Sequence, residues 1–311
     1  MTPTQDLTEK LDEADSLLKQ GKYPEAIACL ERIRPIHPEE EAVLLRLAWA
    51  FWDCKDRERS VHYWEILLDR ELQRKVFTGF AYDELVRIYK QEGDIAKLVA
   101  LCEKVAAVQP QDVGLQEELG KAYLLAGQYE EACETFEKLI SMEADNSAYY
   151  CRLGEALLAC EKIEAGEEAY RQAGLIDPDA ADRYLFQAAD LCLRKGHVHV
   201  AKKLLLACLE IAPANSLYYC SLGDILVHLK QPQNAFAEYG KACQCNHPYT
   251  AAYWNRLGNS LLKAEFFADA VKAFEAALAF DASTPCRQNL KAACVASGRS
   301  TSCPPDRQGH H

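Results

Sequence analysis

The chain has 311 residues, with 35 Lys or Arg against 47 Asp or Glu, which gives a formal net charge of −12. With 49% hydrophobic residues, this composition is typical of a folded globular protein and excludes a disordered or collagen-like chain. Nucleic-acid phosphates and anionic lipid surfaces both repel an acidic chain, so no nucleic-acid partner is expected. No eighteen apolar residues run without a charge, so we expect no membrane insertion.

Fourteen cysteines are scattered along the chain without a CxxC pair. The first ten residues are polar and acidic, so they predict no signal peptide. We therefore expect a cytoplasmic protein whose cysteines stay reduced, with Cys303 near the C-terminus as the reactive exception. The close pair Cys243 and Cys245 lacks a second pair at ligand spacing, which favours packing over a metal site.

A small or apolar residue, here called the anchor, recurs in chain order at intervals of 34 to 38 residues. The anchors are Ala14, Ala48, Val86, Gly120, Gly154, Ala189, Gly223 and Gly258. Twelve residues after the anchors stand Ala26, Ser60, Leu98, Ala132, Gly166, Ala201, Ala235 and Ala270. Four residues further on stand Leu30, Trp64, Cys102, Phe136, Tyr170, Leu205, Tyr239 and Phe274. This spacing predicts pairs of helices that cross closely at small residues, with larger side chains filling the grooves.

Turn and stop signals separate the predicted helices. Gly21, Gly93, Gly127 and Gly196 follow first helices, where a left-handed residue can end a helix. Prolines such as Pro110 and Pro213 follow second helices. A pair this short cannot bury its apolar face alone, so neighbouring pairs are expected to stack.

The second pair departs from the pattern. It has Ser60 at the second small position, Leu72 in place of a closing proline, and four extra residues before the next anchor. Either its second helix is one turn longer, or the connection around Arg70 to Gly79 is looser.

On these residues the chain resembles the tetratricopeptide repeat family. The motif is fullest in one unit with Leu119, Gly120, Tyr123, Gly127, Tyr129, Ala132 and Phe136, and in another with Trp254, Leu257, Gly258, Ala270 and Phe274. The resemblance implies an all-α fold, a right-handed alpha-alpha superhelix, or solenoid, of stacked helix-turn-helix repeats. We expect a leader at 1–6, eight repeats over 7–284, a C-terminal capping helix at 285–298 and a disordered tail at 299–311.

No enzyme signature is present. The chain lacks GxGxxG, GxxxxGK[ST], GxSxG and HExxH motifs, and the repeats leave no room for a catalytic domain. His197 and His199 lack nearby ligands at metal-binding spacing, so we interpret them as a solvated turn. The prediction is a non-catalytic adaptor without cofactor or metal.

In this family the first helix of each pair lines a concave groove that holds a segment of a partner protein. The resemblance places ten candidate partner-binding residues there: Trp49, Trp52, Arg87, Lys121, Glu155, Phe186, Asp190, Asp224, Asn255 and Asn259. The partner is expected to be a protein or peptide segment, basic if it contacts the acidic run Glu155, Asp190 and Asp224.

Two groups among these ten residues can also be interpreted as structural. Trp49 and Trp52 can anchor a partner or fill space beside the longer second hairpin. The three acids can bind a basic segment, or each can pair along its own helix, with Arg152, Arg194 and His228 at salt-bridge spacing.

Three other roles are possible for such a repeat array. Only Asn255 and Asn259 resemble the carboxylate clamp of co-chaperones, because the matching positions of repeats five to seven are acidic, so that role is rejected. An accessory subunit of an enzyme complex, of the envelope-biogenesis or secretion type, would use the convex face or an edge. A thiol or metal sensor is a third and weaker alternative.

Overall fold

Antiparallel helix pairs account for nearly all of the described chain. The structure, a computed structural model, describes residues 3–74, 77–281 and 283–298. The predicted all-α fold of stacked helical hairpins is confirmed in these ranges, and the chain divides into two units, Met1–Met142 and Glu143–His311.

The first unit contains four hairpins. Its helices are α1 (Pro3–Lys19), α2 (Tyr23–Ile33), α3 (Glu41–Asp53), α4 (Arg57–Arg74), α5 (Phe80–Glu92), α6 (Ile95–Val108), α7 (Val113–Ala126) and α8 (Tyr129–Met142). Helix α1 already begins at Pro3, so the predicted leader is helical over residues 3–6.

The second unit contains four hairpins followed by a single helix. Its helices are α9 (Ser147–Ala159), α10 (Ile163–Ile176), α11 (Ala181–Arg194), α12 (Val198–Ile211), α13 (Ser216–His228), α14 (Pro232–Cys245), α15 (Thr250–Lys263), α16 (Phe267–Phe280) and α17 (Thr284–Ala296). Helix α17 packs on α15 and α16 and buries Leu290 and Ala293. The tail predicted at 299–311 lies outside the described residues.

The hairpins that have a glycine anchor are closely packed at that residue. A methyl group added at Gly223 would lie 2.5 Å from Tyr239 Cδ2, and one added at Gly258 would lie 2.5 Å from Phe274 Cε1. Both aromatic rings are fully buried. The anchor is glycine in these hairpins because the ring sixteen residues later occupies the space of a Cβ.

A left-handed residue ends every first helix, seven positions after the anchor. The predicted turn glycines have positive φ, for example 73° at Gly127. In the other four hairpins this place is held by Lys55, Glu161, Lys230 and Glu265, with φ between 60° and 65°. The sequence patterns missed these four because glycine is the only strong signal for this conformation.

The irregular second hairpin differs by the length of its second helix. Helix α4 has 18 residues, whereas α6, α8 and α10 have 14 each, so the first of the two alternatives holds. Ser60 can occupy the small position although its hydroxyl is buried, because that hydroxyl donates a hydrogen bond to the Ala48 carbonyl oxygen at 2.8 Å.

Candidate functional site

The tryptophan pair lies on α3 of the first unit. Trp49 is half-buried against the core, with its ring 5.4 Å from that of the fully buried Trp64 in an edge-on arrangement. Two guanidinium groups contact the half-buried Trp52, with Cζ of Arg57 at 3.9 Å and Cζ of Arg87 at 4.5 Å from its centroid. Both rings thus have partners within the unit and also keep some exposed surface.

The two predicted basic residues of this unit form ion pairs within their own helices. Arg87 pairs with Glu84 at 2.6 Å. Lys121 pairs with Glu117 at 2.6 Å and with Glu118 at 3.0 Å. Both basic residues therefore already have acidic partners within their own helices.

In the second unit an open cleft separates the first helices α9 and α11. Its volume is about 410 Å³. It is lined by Ala148, Cys151, Arg152, Glu155, Tyr170, Tyr184, Gln187, Asp190, Leu191 and Arg194. Two of the predicted residues, Glu155 and Asp190, therefore face one shared space. We call this space the α9–α11 cleft.

Glu155 and Asp190 each pair along their own helix. Arg152 Nη1 lies 2.9 Å from Glu155 Oε2, and Arg194 Nε lies 3.2 Å from Asp190 Oδ2. These are the same-helix partners that the spacing offered. All four side chains remain substantially exposed, so the pairs are weak and open to exchange.

Asp224 does not fit the predicted acidic run. Its Oδ1 accepts hydrogen bonds from the Tyr239 hydroxyl at 2.7 Å and the Ser260 hydroxyl at 2.6 Å. Its Oδ2 accepts from Arg256 Nε at 2.9 Å and Nη2 at 2.6 Å. The same-helix partner expected at His228 is therefore wrong, because α14 and α15 surround the carboxylate and saturate it.

The remaining three predicted residues lie on α11 and α15. Phe186 packs on Tyr218, with ring centroids 5.0 Å apart. Asn255 Oδ1 accepts a hydrogen bond from Asn289 Nδ2 of α17 at 2.9 Å. Asn259 is half-buried on α15.

A tyrosine ladder that the sequence patterns did not single out links successive first helices of the second unit. Tyr184 and Tyr253 lie within 3.1 and 2.9 Å of the hydroxyls of Ser147 and Ser216, one hairpin earlier. Tyr218 donates likewise to Asp182 at 2.8 Å. Each tyrosine stands five residues before its anchor, a periodicity that could have identified the ladder.

The cysteines of the described ranges form no disulfide, and burial raises the pKa of several of them. Burial raises the pKa of Cys208 and Cys220 to about 12 and that of Cys192 to about 11, which suppresses the reactive thiolate. Cys54 and Cys245 are exposed and add to the single exception expected at Cys303, which lies outside the described residues.

His197 comes directly before helix α12 and His199 lies in its first turn, so the two histidines do not share the solvated turn that was expected. His197 Nε2 lies 2.6 Å from Glu161 Oε2, while His199 is exposed. Within residues 3–74, 77–281 and 283–298, no group of three or more His, Cys, Asp or Glu side chains is placed to hold a metal ion. None of the helices in these ranges combines the length and the hydropathy that a membrane crossing requires.

The close-crossing hairpins, small anchors and stacked first helices define a tandem helical-repeat protein. Residues 11–65, 115–146, 147–179 and 182–215 match the tetratricopeptide repeat family, and the chain belongs to it. Members of this family are protein-interaction adaptors in general, and that broad class applies here.

Individual likenesses are more distant. Protein O-mannosyl-transferase TMTC3 of Homo sapiens is 26% identical over 164 residues, which cover 48% of this chain and 18% of that protein. The match thus spans under a fifth of the length of this curated relative. A tetratricopeptide repeat protein from Parabacteroides merdae is 13% identical over 93% of this chain and 99% of its own, with a TM-score of 0.44. YrrB, described as a protein of this family with an unusual peptide-binding site, is 12% identical over 61% of this chain and 96% of its own, with a TM-score of 0.38.

Proposed function

We propose that the chain is a non-catalytic adaptor that binds a segment of a partner protein on its first-helix face, with the α9–α11 cleft as the main docking site. The observation that supports this most is the cleft itself, which is open, about 410 Å³ in volume and lined almost entirely by first-helix residues. Its lining combines apolar surface from the half-buried Leu191 with four charged side chains, two acidic and two basic. Such a combination suits a segment with alternating apolar and polar side chains.

Two exposed alanines of one hairpin provide a matched test. Ala148 lines the cleft on α9, and Ala165 is exposed on the second helix, α10. Ala148→Trp fills the cleft, whereas Ala165→Trp adds the same bulk to the opposite helix. We expect affinity purification with quantitative mass spectrometry to recover the wild-type partners with Ala165→Trp and to lose them with Ala148→Trp.

Equal capture by wild type and Ala148→Trp would refute the cleft as the docking site. Loss in both variants would point to misfolding, which circular dichroism at 222 nm distinguishes. Loss with Ala165→Trp alone would favour an interface on the second-helix side.

The alternative, an accessory subunit of an enzyme complex that uses an edge, has one observation in its favour. An apolar hollow of about 340 Å³ lies at the ends of α10 and α12. Leu175 and Ile211 line it and are both exposed, Leu175 to 70%. Leu175→Asp should abolish capture if this edge is the interface, and should leave capture unchanged if the cleft is.

We place this function in the cytoplasm. The cysteines are scattered through the repeats, and those in the described ranges form no disulfide, which supports a reducing compartment. Fractionation of cells that express the tagged chain tests this placement, and recovery in an exported fraction would refute it.

A further inference from the structure

Two carboxylates of this chain bind arginines across neighbouring hairpins by one rule. Asp15 and Asp224 each stand one residue after an anchor, and Arg46 and Arg256 each stand two residues before the next anchor. Arg46 donates from Nε to Asp15 Oδ1 at 2.6 Å and from Nη2 to Oδ2 at 2.8 Å. Arg256 donates from the same two nitrogens to Asp224. The fold thus aims a guanidinium at a carboxylate in this register.

Glu155 and Asp190 occupy the carboxylate position of that register without a matching arginine. Two residues before the next anchors stand Gln187 and Ser221 instead. Gln187 lines the same cleft as both acids. The chain therefore presents two carboxylates where its own pattern places a guanidinium, and neutral side chains where that guanidinium would originate.

Asp190 is clearly more exposed than the two paired aspartates, and Glu155 slightly more. The side chains of Asp15 and Asp224 are 34% and 26% exposed, against 39% for Glu155 and 56% for Asp190. The same-helix arginines of the last two are 50% and 68% exposed. Exposed pairs of this kind contribute little stability, so an incoming guanidinium displaces them at small cost.

The cleft also suits the rest of an arginine side chain. Leu191 and Cys151, both half-buried, line the cleft together with the two acids and offer apolar surface for the methylene groups, while the charged head reaches the carboxylates. Neighbouring helices pack roughly 8–10 Å apart, and an extended segment advances about 3.3 Å per residue. Two positions one hairpin apart therefore match side chains about three residues apart in the partner.

We propose that the α9–α11 cleft recognises a partner segment with two arginines about three residues apart, one bound by Glu155 and the other by Asp190. Arginine is preferred over lysine because a planar guanidinium can donate two parallel hydrogen bonds to a carboxylate, as Arg46 does to Asp15. The proposal rests on the proposed function, since it assigns the chemistry of the partner at the same cleft.

The probes are fluorescein-labelled twelve-residue peptides of Ala and Ser that carry two Arg three residues apart, two Lys at the same places, or a single Arg. Fluorescence polarisation with the full chain should give at least tenfold tighter binding of the two-Arg peptide than of either other peptide. Equal affinity for the Arg and Lys peptides would overturn the proposal, because non-specific attraction to an acidic chain does not distinguish them.

A second test supplies the missing arginine from the chain itself. Gln187→Arg places an arginine in the register that serves Glu155, so it should weaken binding of the two-Arg peptide at least tenfold and raise the melting temperature. Gln233→Arg, at an exposed glutamine of α14, is the control of equal charge and should change neither. Unchanged peptide binding by Gln187→Arg would overturn the proposal.

The results distinguish a wrong docking site from a wrong chemistry of the bound segment. If Ala148→Trp abolishes partner capture while the two-Arg peptide does not bind, the cleft docks a segment of other chemistry and only the arginine proposal fails. If capture is indifferent to Ala148→Trp, the proposed docking site fails as well.

Discussion

The contact between Gly223 and Tyr239 allows a direct test of why the hairpins require a small anchor. In a helix interior, Gly→Ala stabilises by about 1 kcal/mol when the new methyl group meets nothing. Gly240 on α14 is such a position, with no atom within 4 Å of an added Cβ. At Gly223 the same methyl group would lie 2.5 Å from Tyr239 Cδ2 and 2.6 Å from Cε2. Both substitutions affect one hairpin, α13 and α14, so the gain in helix propensity cancels between them.

What remains is the cost of forcing an extra methyl group into a packed core, about 1–3 kcal/mol. The upper half of this range is expected, because the hydrogen bond from the Tyr239 hydroxyl to Asp224 at 2.7 Å prevents the ring from moving away. Gly240→Ala should therefore stabilise the hairpin by up to about 1 kcal/mol. Gly223→Ala should destabilise it by up to about 2 kcal/mol, the packing cost less the gain in propensity.

Urea unfolding followed by circular dichroism at 222 nm measures the global change, and hydrogen exchange of the α13 and α14 amides measures the local one. The local measurement is needed because a repeat array can open one hairpin at a time. Stabilisation by both substitutions, or equal destabilisation by both, would refute the close-contact explanation.

Lys55→Gly should stabilise the second hairpin by up to about 1 kcal/mol in the same urea assay, because glycine adopts the positive φ of this position without the steric strain that lysine has. A loss of stability would contradict this. The hydrogen bond from Arg46 lowers the pKa of Asp15 below its ordinary value of 3.8, so its contribution is present above that value and lost as the pH falls. Melting curves from pH 6 to pH 3 should therefore show a smaller acid loss in Arg46→Gln than in wild type, and an equal loss would exclude this pair as a cause. Native labelling with a maleimide and peptide mapping should modify Cys245 rapidly and Cys208 only on unfolding; rapid modification of both would show that burial does not protect the thiols.

The hairpins could be predicted from the sequence because their tightest contact depends on residue size. A ring that occupies the space of a Cβ, as Phe274 does at Gly258, restricts the anchor to a small residue at a fixed interval. The turns were predicted only where glycine supplies the left-handed residue. At Lys230 the same backbone conformation is imposed by the closure of the hairpin, and a lysine carries no local sign of it.

The ion pairs within one helix were also predictable, whereas a pair between hairpins was not. The pairs of Glu155 with Arg152 and of Asp190 with Arg194 were among the alternatives, because helical spacing alone brings them together. The ion pair of Asp224 was not predicted, because its partner Arg256 stands 32 residues away. Only the register between neighbouring hairpins relates the two positions.

That register changes how the acidic run should be tested. Reversing the charge of Asp224 would leave Arg256 facing a cation and would remove the acceptor of the Tyr239 and Ser260 hydroxyls. Loss of a half-buried hydrogen-bonded network destabilises a protein whether or not the residue contacts a partner. A loss of binding on reversal at Asp224 therefore carries no information about recognition. Glu155 and Asp190 have only exposed same-helix partners, so their reversal should leave the fold intact, and a change in binding there would report on the partner alone.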